Sequence, residues 1–434
     1  MAFETIEEKL SNRKQTMCYL VDNKTNVLEL ENHKTKIQRA RLNQRPLVGA
    51  LLLLLCFGVF LCLRCLSNTP LVNQYGILRA TIAESKIEDS NIRSILLWTS
   101  FFGDERWKLS KDTLEPEQFR DLLHCPIHQC LISNRRDLLP SIEDYDAIVF
   151  HVAEPFSLLH SVPARRKAHQ AYVFALMEPP GETKHRLSDE RFFYNLTMTY
   201  RLDSDIVWPY SELVEMDTGT LVAPTAEPHW RTPPANWHDA AAWRLWLGKT
   251  KMAAWFVSHC DTLSQREGLV AALQQQQIAV DIFGKCGPLS CELGDAHCGD
   301  MLDTDYKFYF AFENSLCTDY VTEKLYRALQ HYVIPVVFGG ANYTRFLPPY
   351  SYIDAENFKS VDDLARHLQL VANDGREYVR YFWWRRYYQL TYISPFCALC
   401  AHLHSPGARY RTQFYDNIEA WWLNSCRFHT NIRF

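Results

Sequence analysis

The segment 305–340 predicts one strand, one helix and a second strand in immediate succession. Tyr306–Phe312 is a β-rich apolar run, apolar residues then recur at helical spacing, and Ile334–Phe338 begins the next strand. A βαβ unit of this kind requires a parallel sheet, and such sheets bind ligands at the carboxyl ends of their strands. The segment therefore predicts an α/β fold with a ligand site, of the kind that nucleotides occupy, at the joint after Phe312.

Glu323 and Lys324 are predicted to lie in the first turn of that helix. Free backbone N–H groups and the positive end of the helix dipole favour an anion there. Lys324 would add a positive charge, and Glu323 would accept hydrogen bonds from ribose hydroxyls. On helix chemistry alone, the same pair is typical of a solvated first turn, so the interpretation depends on the surrounding sequence.

Three strings in this segment carry a family resemblance: FAFENS at 310–315, DYVTEK at 319–324 and PVVFG at 335–339. Together they resemble the donor-binding signature of the α1,3-fucosyltransferases, the Golgi enzymes of glycosyltransferase family 10 that use GDP-fucose. The resemblance continues through 193–206, 256–260 and 280–287 and covers most of 95–400. The cysteine-containing strings VSHC and FGKCG are more similar to invertebrate and plant members than to vertebrate ones.

The resemblance implies a GT-B architecture, in which two Rossmann-like domains face a cleft. The alternation of predicted strands and helices along the chain agrees with parallel sheets that are covered by helices. Strands are predicted in the first domain at 95–98, 147–150 and 172–176, and in the second at 253–257, 280–283, 306–312 and 334–338. Helices are predicted near 265–275, 320–332 and 361–372.

An uncharged apolar run at 46–63 precedes both domains. Its length is at the lower limit for a helix that spans a bilayer, it begins too late for a cleaved signal peptide, and a soluble helix would normally keep a polar face. Basic residues are concentrated before the run, and the positive-inside rule then places the N-terminus in the cytosol. We therefore predict a single-pass type II protein of the Golgi membrane whose catalytic part is lumenal.

Domain boundaries follow from these patterns. We expect a cytosolic tail at 1–45, a transmembrane signal anchor at 46–63, a stem at 64–93, an acceptor-side α/β domain at 94–246, a GDP-fucose-binding α/β domain at 247–396 and a C-terminal segment at 397–434. Within the acceptor-side domain, residues 212–246 are rich in proline and tryptophan and are interpreted as an irregular insertion or hinge. The C-terminal segment carries a CxxC motif and is expected to pack back on the first domain.

Ten cysteines lie beyond the apolar run, and an even number in an oxidising compartment predicts disulfides. Cys397 and Cys400 also have the spacing of half a zinc site, which Cys125 and Cys130 would complete, or of a redox-active pair. In the family the C-terminal CxxC pairs with early cysteines, which implies disulfides from Cys397 and Cys400 to Cys125 and Cys130. Among the other six, the candidate pairings are Cys260 with Cys317 and a pair within 286–298.

The lumenal part contains two N-x-[ST] sequons, at Asn195 and Asn342, and both are predicted to carry glycans. The spacings Asp203-x-Asp205 and Asp303-x-Asp305 match the DxD motif that holds a divalent metal in single-domain glycosyltransferases. No complete set of oxygen ligands accompanies either pair. We therefore predict no required cofactor and no fixed metal site, with Mn²⁺ acting at most as a stimulant.

Fucosyl transfer needs a carboxylate within hydrogen-bond reach of the acceptor hydroxyl, to act as the general base. Glu178 follows the predicted strand 172–176, and two prolines stiffen the loop after it. The family's acidic base lies in a matching Glu-x-Pro context, so the resemblance implies that Glu178 is catalytic. Without the resemblance it would be an ordinary charged turn residue.

Further binding residues are implied by position in the family pattern. Arg266 lies after the VSHC strand, where a guanidinium binds phosphate oxygens in bidentate fashion. Phe283, Gly284 and Lys285 match the family's YGK-like loop, with phenylalanine in place of the commoner tyrosine. The remaining candidates are Asn314 and Tyr320 at the donor loop and, for the acceptor, His151.

The predicted activity is inverting transfer of fucose from GDP-fucose to a GlcNAc hydroxyl of glycoprotein glycans. One alternative is a fucosyltransferase that acts on a protein hydroxyl, and another is an inactive, Golgi-anchored glycan-binding protein. The near-balanced charge of the 434-residue chain, −4, argues against nucleic acid as a partner.

Overall fold

The computed structural model describes residues 92–434 apart from 154, 157–162, 164, 184, 186, 189, 292–295 and 409–412. The predicted tail, the signal anchor and all but the end of the stem lie outside the described residues. Among the residues that are described, no helix is both long enough and apolar enough to cross a membrane.

The elements alternate along most of the chain. The strands are β1 (Arg93–Leu97), β2 (Thr113–Leu114), β3 (Cys130–Ser133), β4 (Ala147–His151), β5 (Ala171–Leu176), β6 (Leu196–Thr199), β7 (Ile206–Val207), β8 (Glu212–Glu215), β9 (Leu221–Ala223), β10 (Lys251–Phe256), β11 (Val280–Phe283), β12 (Tyr306–Phe312), β13 (Leu316–Cys317), β14 (Ile334–Phe338), β15 (Ile353–Asp354), β16 (Tyr388–Thr391) and β17 (Cys426–Arg427). The helices are α1 (Pro116–Asp121), α2 (Ala240–Gly248), α3 (Arg266–Gln275), α4 (Ala296–Thr304), α5 (Glu323–Gln330), α6 (Val361–Asn373), α7 (Gly375–Arg380), α8 (Pro395–His404) and α9 (Ile418–Leu423).

The first sheet has the strand order β2-β3-β1-β4-β5-β6-β7. All of its neighbouring pairs are parallel except β2 with β3. Strands β4 and β5 are apolar along nearly their whole length because both faces of a parallel sheet are covered. The predicted strands 95–98, 147–150 and 172–176 correspond to β1, β4 and β5.

The second sheet has the order β11-β10-β12-β14-β15, and every neighbouring pair is parallel. The predicted strands and helices are confirmed, with α3, α5 and α6 at the expected places. Strand β12 lies at the centre, so the residue that follows it is flanked by the ends of β10 and β14. The expected α/β fold with parallel sheets is therefore confirmed.

The segment 212–246 is more regular than we predicted. Strand β8 pairs antiparallel with both β9 and β16, and α2 follows a loop. The Asp239 carboxylate caps α2 by accepting hydrogen bonds from the N–H groups of Ala241 and Ala242. Several tryptophans of the segment pack against the core of the second sheet. Strands of three or four residues between prolines have too little periodicity to be read from sequence.

The C-terminal segment packs back on the first sheet, and it also contacts the second sheet, which we did not predict. Helix α8 does pack against the first sheet, and disulfides join Cys125 to Cys397 and Cys130 to Cys400. Four sulfurs bonded in two disulfides are not thiolate ligands, so this structure does not contain the alternative zinc site. Further along, β17 pairs with β13, and Ile432 packs in the core of the second sheet.

The other three disulfides are Cys260–Cys286, Cys291–Cys298 and Cys317–Cys426. The suggested pairing of Cys260 with Cys317 is therefore wrong, because Cys317 faces the C-terminal strand β17. The expectation of a pair within 286–298 is met by Cys291 with Cys298.

Lys249, directly after α2, carries a buried ammonium group. Its Nζ donates to the carbonyl oxygens of Leu302, at 2.7 Å, and Tyr306, at 2.8 Å. Burial lowers the pKa of Lys249 to about 7. These bonds join the start of the second sheet to α4 and β12.

Because the lysine pKa in the unfolded chain stays near 10.5, the unfolded state binds more protons between about pH 7 and 10. The free energy of unfolding should therefore rise with pH across that window, by up to about 1.4 kcal/mol per pH unit from Lys249. Lys249→Met should flatten this rise in denaturant unfolding at pH 7, 8 and 9. Lys251→Met, at a half-exposed neighbour, serves as the control, and equal slopes in both variants would contradict the assignment.

Candidate functional site

The residue after β12, Glu313, is a carboxylate that is only 1% exposed. Its oxygens accept hydrogen bonds from the N–H (2.9 Å) and the hydroxyl (3.0 Å) of Thr322, and Oε2 lies 3.2 Å from Lys324 Nζ. Burial raises the pKa of Glu313, and the Lys324 ammonium acts in the opposite direction. Sequence reasoning did not single out Glu313 as a site residue, although a carboxylate directly after the apolar run 308–312 was the available signal.

Lys324 is held by three oxygens. Its Nζ donates to the Thr322 hydroxyl at 2.9 Å and to the carboxylates of Glu313 and Glu323 at 3.2 Å each. Burial alone would lower the pKa of Lys324, but the two carboxylates raise it, so the group is a firm cation. The Glu323 side chain is 55% exposed, whereas that of Glu313 is enclosed.

Glu323 and Lys324 lie in the first turn of α5, as predicted, although the helix begins at Glu323 and not near residue 320. Its N-terminus differs from the expectation in one further respect. The N–H of Thr322 is bound by Glu313, and the Thr322 hydroxyl accepts from the N–H of Lys324. These backbone donors, which we expected to be free for an anion, are thus used within the chain. The Lys324 ammonium is therefore the main positive group that this helix end presents.

Arg266, the first residue of α3, is 2% exposed and binds backbone oxygens. Its guanidinium donates to the carbonyls of Phe312, at 2.7 Å, and His259, at 2.8 Å. The Ser264 hydroxyl donates to the Glu313 carbonyl at 2.7 Å, beside it. Arg266 therefore fixes the end of β12 against the loop after β10, and its contact with phosphate stays a prediction.

Glu178 is half-buried just beyond the end of β5. Burial raises its pKa, and the carboxylates of Glu323, Glu182 and Glu313 add to this shift while the Lys324 ammonium opposes it. The Tyr210 hydroxyl donates to the carbonyl of Met177 at 2.8 Å, which fixes the backbone immediately before Glu178. Glu178 follows a strand of the first sheet, and Lys324 lies in a helix that packs on the second. Their side chains thus belong to one group of interacting charges.

Two further contacts bring the loop after β5 onto the second half of the structure. The Glu182 carboxylate lies 3.5 Å from His259 Nδ1. A Cβ atom on Gly181 would lie 2.4 Å from Leu263 Cδ1, so the loop after β5 approaches Leu263 closely, and a larger residue at 181 would require the Leu263 side chain to move. The loop that follows Glu178 therefore contacts the loop after β10 at two points.

A cavity of about 480 Å³ opens beside this group of charges. It is lined by Tyr210, Ser211, Glu323, Tyr326, Arg327, Gln330, Leu390, Thr391 and Tyr392. Because Tyr210 also binds the Met177 carbonyl, the cavity adjoins the loop that carries Glu178. Its size and its mixed polar and aromatic walls are typical of sites for small polar ligands.

The loop after β11 presents its backbone and Lys285 rather than Phe283. The Phe283 ring is buried and packs against Phe256, at 5.1 Å between centroids, and Tyr306, at 6.2 Å. Gly284 has φ +99°, and a Cβ there would lie 2.5 Å from the Val257 carbonyl oxygen, so only glycine fits. Lys285 is exposed. The Phe283 ring is thus used in packing, and its contact with a nucleotide stays a prediction.

Tyr320 and Asn314 differ in how they border the donor loop. Tyr320 is buried against Tyr200, with ring centroids 4.9 Å apart, and its contact with the donor stays a prediction. Asn314 is also buried, but its side-chain Oδ1 has no hydrogen-bond partner among the described residues. An unpaired buried acceptor is costly, which makes Asn314 a suitable contact for a ligand donor.

His151 ends β4 and lies opposite Ala175 of β5, so it is on the same sheet edge as Glu178. Its ring is enclosed by Phe101 and Phe102, with centroids 4.8 and 4.7 Å away, and Nδ1 lies 3.2 Å from the Ser100 carbonyl. Burial lowers the pKa of His151 to about 4, so the imidazole is neutral at physiological pH. An acceptor contact from this enclosed ring stays a prediction.

Both DxD pairs have structural partners. Asp203 forms an ion pair with Arg201, at 2.6 Å, and Asp303 lies 2.8 Å from His331 Nδ1. The potential metal-binding group found in the described part of the chain comprises Cys130, Cys400 and His404, and its two sulfurs are joined in a disulfide. The described residues therefore contain no cluster of oxygen ligands that would hold a divalent metal.

Comparison with known proteins agrees with this geometry. A family model described as "Fucosyltransferase, N-terminal" matches residues 90–211, and one described as "Glycosyltransferase family 10 (fucosyltransferase) C-term" matches residues 246–421. The chain belongs to glycosyltransferase family 10, the fucosyltransferases. Glu178 lies in the N-terminal family region and Lys324 in the C-terminal one, so the group of interacting charges is assembled from both.

Named relatives in this family cover most of the chain. It is 59% identical over 388 residues to alpha-(1,3)-fucosyltransferase C of Drosophila melanogaster, covering 89% of this chain and 91% of the relative. It is 33% identical over 324 residues to alpha-(1,3)-fucosyltransferase fut-1 of Caenorhabditis elegans, covering 70% and 67%. A crystal structure of an alpha1,3-fucosyltransferase with GDP aligns with a TM-score of 0.45 at 14% identity, over 79% of this chain and 98% of that one.

The two predicted glycosylation sites differ in the structure. Asn195 is buried, its Oδ1 accepts from the N–H of Tyr172, and its Nδ2 donates to the Gln413 carbonyl, each at 2.9 Å. Burial and these two hydrogen bonds make Asn195 the less accessible of the two sequons, which argues against a glycan there. Asn342 is exposed, and its Oδ1 accepts from the Thr344 hydroxyl at 2.7 Å.

Because Asn342 is exposed and Asn195 is buried, we expect N-glycosylation at Asn342 alone. Asn342→Gln should lower the intact mass by one glycan, whereas Asn195→Gln should leave the mass of the glycans unchanged and reduce thermal stability through the lost amide bonds. Glycopeptide mass spectrometry of the secreted-pathway protein checks both results. A glycan found on Asn195 of the folded protein would contradict the assignment.

Proposed function

We propose that the chain is an inverting α1,3-fucosyltransferase that transfers fucose from GDP-fucose to a GlcNAc hydroxyl of glycoprotein glycans. The observation that carries the proposal is the group of charges around Lys324, in which a firm cation and a carboxylate of raised pKa, Glu178, interact across the two family regions. The names of the relatives support the α1,3 linkage. The two parallel sheets support the GT-B architecture that the family resemblance implies.

In the proposed reaction Glu178 is the general base. The acceptor oxygen attacks the anomeric carbon of fucose on the face opposite GDP, its proton passes to the Glu178 carboxylate, and the bond to the diphosphate oxygen breaks as GDP leaves. Inversion follows because this is a single displacement. Burial raises the pKa of Glu178, which makes it a stronger base than a solvated carboxylate.

Lys324 is the proposed partner of the departing diphosphate. Of its two carboxylate partners, Glu313 is enclosed and Glu323 is largely exposed, so a phosphate oxygen displaces Glu323 at the smaller desolvation cost. The released Glu323 carboxylate is then free to accept hydrogen bonds from ribose hydroxyls. Asn314, with its unpaired Oδ1, is a proposed donor-side contact.

The chain's setting is proposed to be the Golgi membrane, with 46–63 as the signal anchor and residues 94–434 lumenal. Neither DxD pair is free for a metal-bridged diphosphate, so we propose that Mn²⁺ stimulates the reaction at most and is not required. The acceptor-side domain at 94–246 and the donor-binding domain at 247–396 remain the proposed division.

The proposal is tested by incubating the full-length chain in detergent with labelled GDP-fucose and a panel of acceptors. We expect transfer to one or more GlcNAc-containing glycans, among core chitobiose, N-acetyllactosamine and LacdiNAc. Transfer to a serine- or threonine-containing peptide instead would favour the protein-hydroxyl alternative. Glycan binding without any transfer would favour the inactive glycan-binding protein.

Glu178→Gln keeps the shape of the side chain and removes the base. We expect kcat to fall by about 10²- to 10⁴-fold while GDP affinity is unchanged. In the wild-type enzyme kcat/KM should rise with pH through the raised pKa of Glu178, since the base must be unprotonated. Residual activity of the variant should lack this rise, and a variant with near wild-type kcat would remove Glu178 from the mechanism.

Lys324→Met removes the ammonium and strands the buried Glu313 carboxylate. GDP affinity should fall by about tenfold to a hundredfold, as expected for a charged hydrogen bond, and thermal stability should also fall. In the double variant Glu313→Gln/Lys324→Met the buried charge is gone, so stability should recover while GDP affinity stays low. Calorimetric titration with GDP and thermal unfolding separate the two effects, and recovery of GDP affinity in the double variant would contradict the phosphate role.

A further inference from the structure

A second cavity, of about 450 Å³, lies along the outer side of β15, the edge strand of the second sheet. It shares no lining residue with the cavity beside Glu323. Its walls come from the segment that leads into β15, from helix α6, from the residue after α7 and from Trp230 in the loop before α2. The transfer reaction proposed above gives this cavity no role.

Aromatic rings form much of its wall. Trp230 is fixed in place, since its Nε1 donates to the Thr344 carbonyl at 2.9 Å and its ring meets Tyr388 edge-on at 5.4 Å. The Tyr350 and Tyr381 rings lie 6.4 Å apart, and Tyr350 remains 47% exposed at the mouth. The other two rings that line the cavity are those of Tyr352 and Phe358.

Polar groups converge on the same space. The Asp354 carboxylate accepts from the N–H of Glu356 through Oδ1 at 3.0 Å, while Oδ2 accepts no hydrogen bond from any residue that the structure describes. His367 Nε2 lies 3.3 Å from the Tyr381 hydroxyl, and Asn357 completes the polar rim. Burial raises the pKa of Asp354 to about 6, as expected for a carboxylate that is short of donors.

We propose that this cavity is a saccharide-binding site. A pyranose ring has one apolar C–H face, which packs on aromatic rings, and hydroxyls around its rim, which bind carboxylate, amide and imidazole groups. The walls supply both kinds of partner, and the volume lies in the range of small-ligand sites. A peptide added to the sheet edge fits less well, because β15 has only two residues with which to form ladder hydrogen bonds.

The chain's own sequon supplies the nearest saccharide. Thr344 of the Asn342-Tyr343-Thr344 sequon lines the cavity, and Asn342 is exposed two residues before it. A tethered sugar has a high effective concentration, so weak contacts with aromatic rings are enough to keep it bound. The occupant is therefore the core of the Asn342 glycan. This choice of occupant rests on the proposed glycosylation of Asn342, whereas saccharide binding by the cavity does not.

The first experiment measures how fast an endoglycosidase cuts between the two core GlcNAc residues of the Asn342 glycan on the native, full-length protein. Tyr350→Ala and Asp354→Asn should each speed cleavage by about fivefold, because a docked core is shielded. Phe428→Ala, at an exposed aromatic residue outside the cavity, is the matched control and should leave the rate unchanged. Equal rates in all four proteins would rule out the Asn342 glycan as the occupant.

The second experiment uses the Asn342→Gln chain, whose cavity has no tethered sugar, and adds chitobiose at millimolar concentrations. Saturation-transfer NMR should show binding that is lost when Tyr350→Ala or Asp354→Asn is added. Absence of transfer to chitobiose would overturn the cavity as a saccharide site. Fucose transfer to a small acceptor is measured in the same proteins and should be unchanged, so failure of this inference is distinguishable from failure of the proposed reaction.

Discussion

Burial of the Glu313 carboxylate is the constraint that organises the centre of the molecule. A charge removed from water at the end of a central strand must be matched by hydrogen bonds and an opposite charge, and here Thr322 and Lys324 supply them. These hydrogen bonds and this ion pair fix the loop from 314 to 322 and the first turn of α5. Arg266 and Ser264 bind the neighbouring carbonyls, so the loops after β10 and β12 are held to the same point. The ion pair of Glu313 with Lys324 therefore contributes a defined geometry more than it contributes stability.

The surplus of carboxylates around Lys324 has a consequence for ligand binding. Among the described residues, the carboxylates of Glu178, Glu182, Glu313 and Glu323 interact with one another or with the Lys324 ammonium, and the guanidinium groups nearby are those of Arg266 and Arg327. Neighbouring negative charges raise the pKa of the most enclosed carboxylates, which makes those carboxylates stronger bases. An anionic donor must then compete with Glu323 for Lys324. Donor binding and the basicity of Glu178 are coupled through the same ammonium group.

Sequence reasoning recovered the parts of the fold that periodicity encodes. The strand 306–312 and the helices 266–275 and 361–373 repeat apolar residues over enough positions to be recognised. Sequence reasoning did not predict β8, β9 or α2, because these elements are short. It also did not predict that the last residues reach the second sheet, because that contact depends on the long-range pairing of β17 with β13. At the site, the sequence predicted which residues lie near the loops better than it predicted the direction in which their side chains point. Phe283 and Tyr320 lie in the expected loops, but their rings face the core because tertiary packing, not local sequence, sets that direction.

The disulfides that join α8 to the first sheet span 272 and 270 residues. During synthesis at roughly 5 to 20 residues per second, Cys125 and Cys130 are made about 15 to 50 s before Cys397 and Cys400. For that interval two thiols only five positions apart are exposed to oxidants and to each other. The two disulfides to α8 cannot form until Cys397 and Cys400, in the last tenth of the chain, have been synthesised. Formation of the native pairs Cys125–Cys397 and Cys130–Cys400 is thus tied to the order of translation, because each pair joins an early cysteine to a late one.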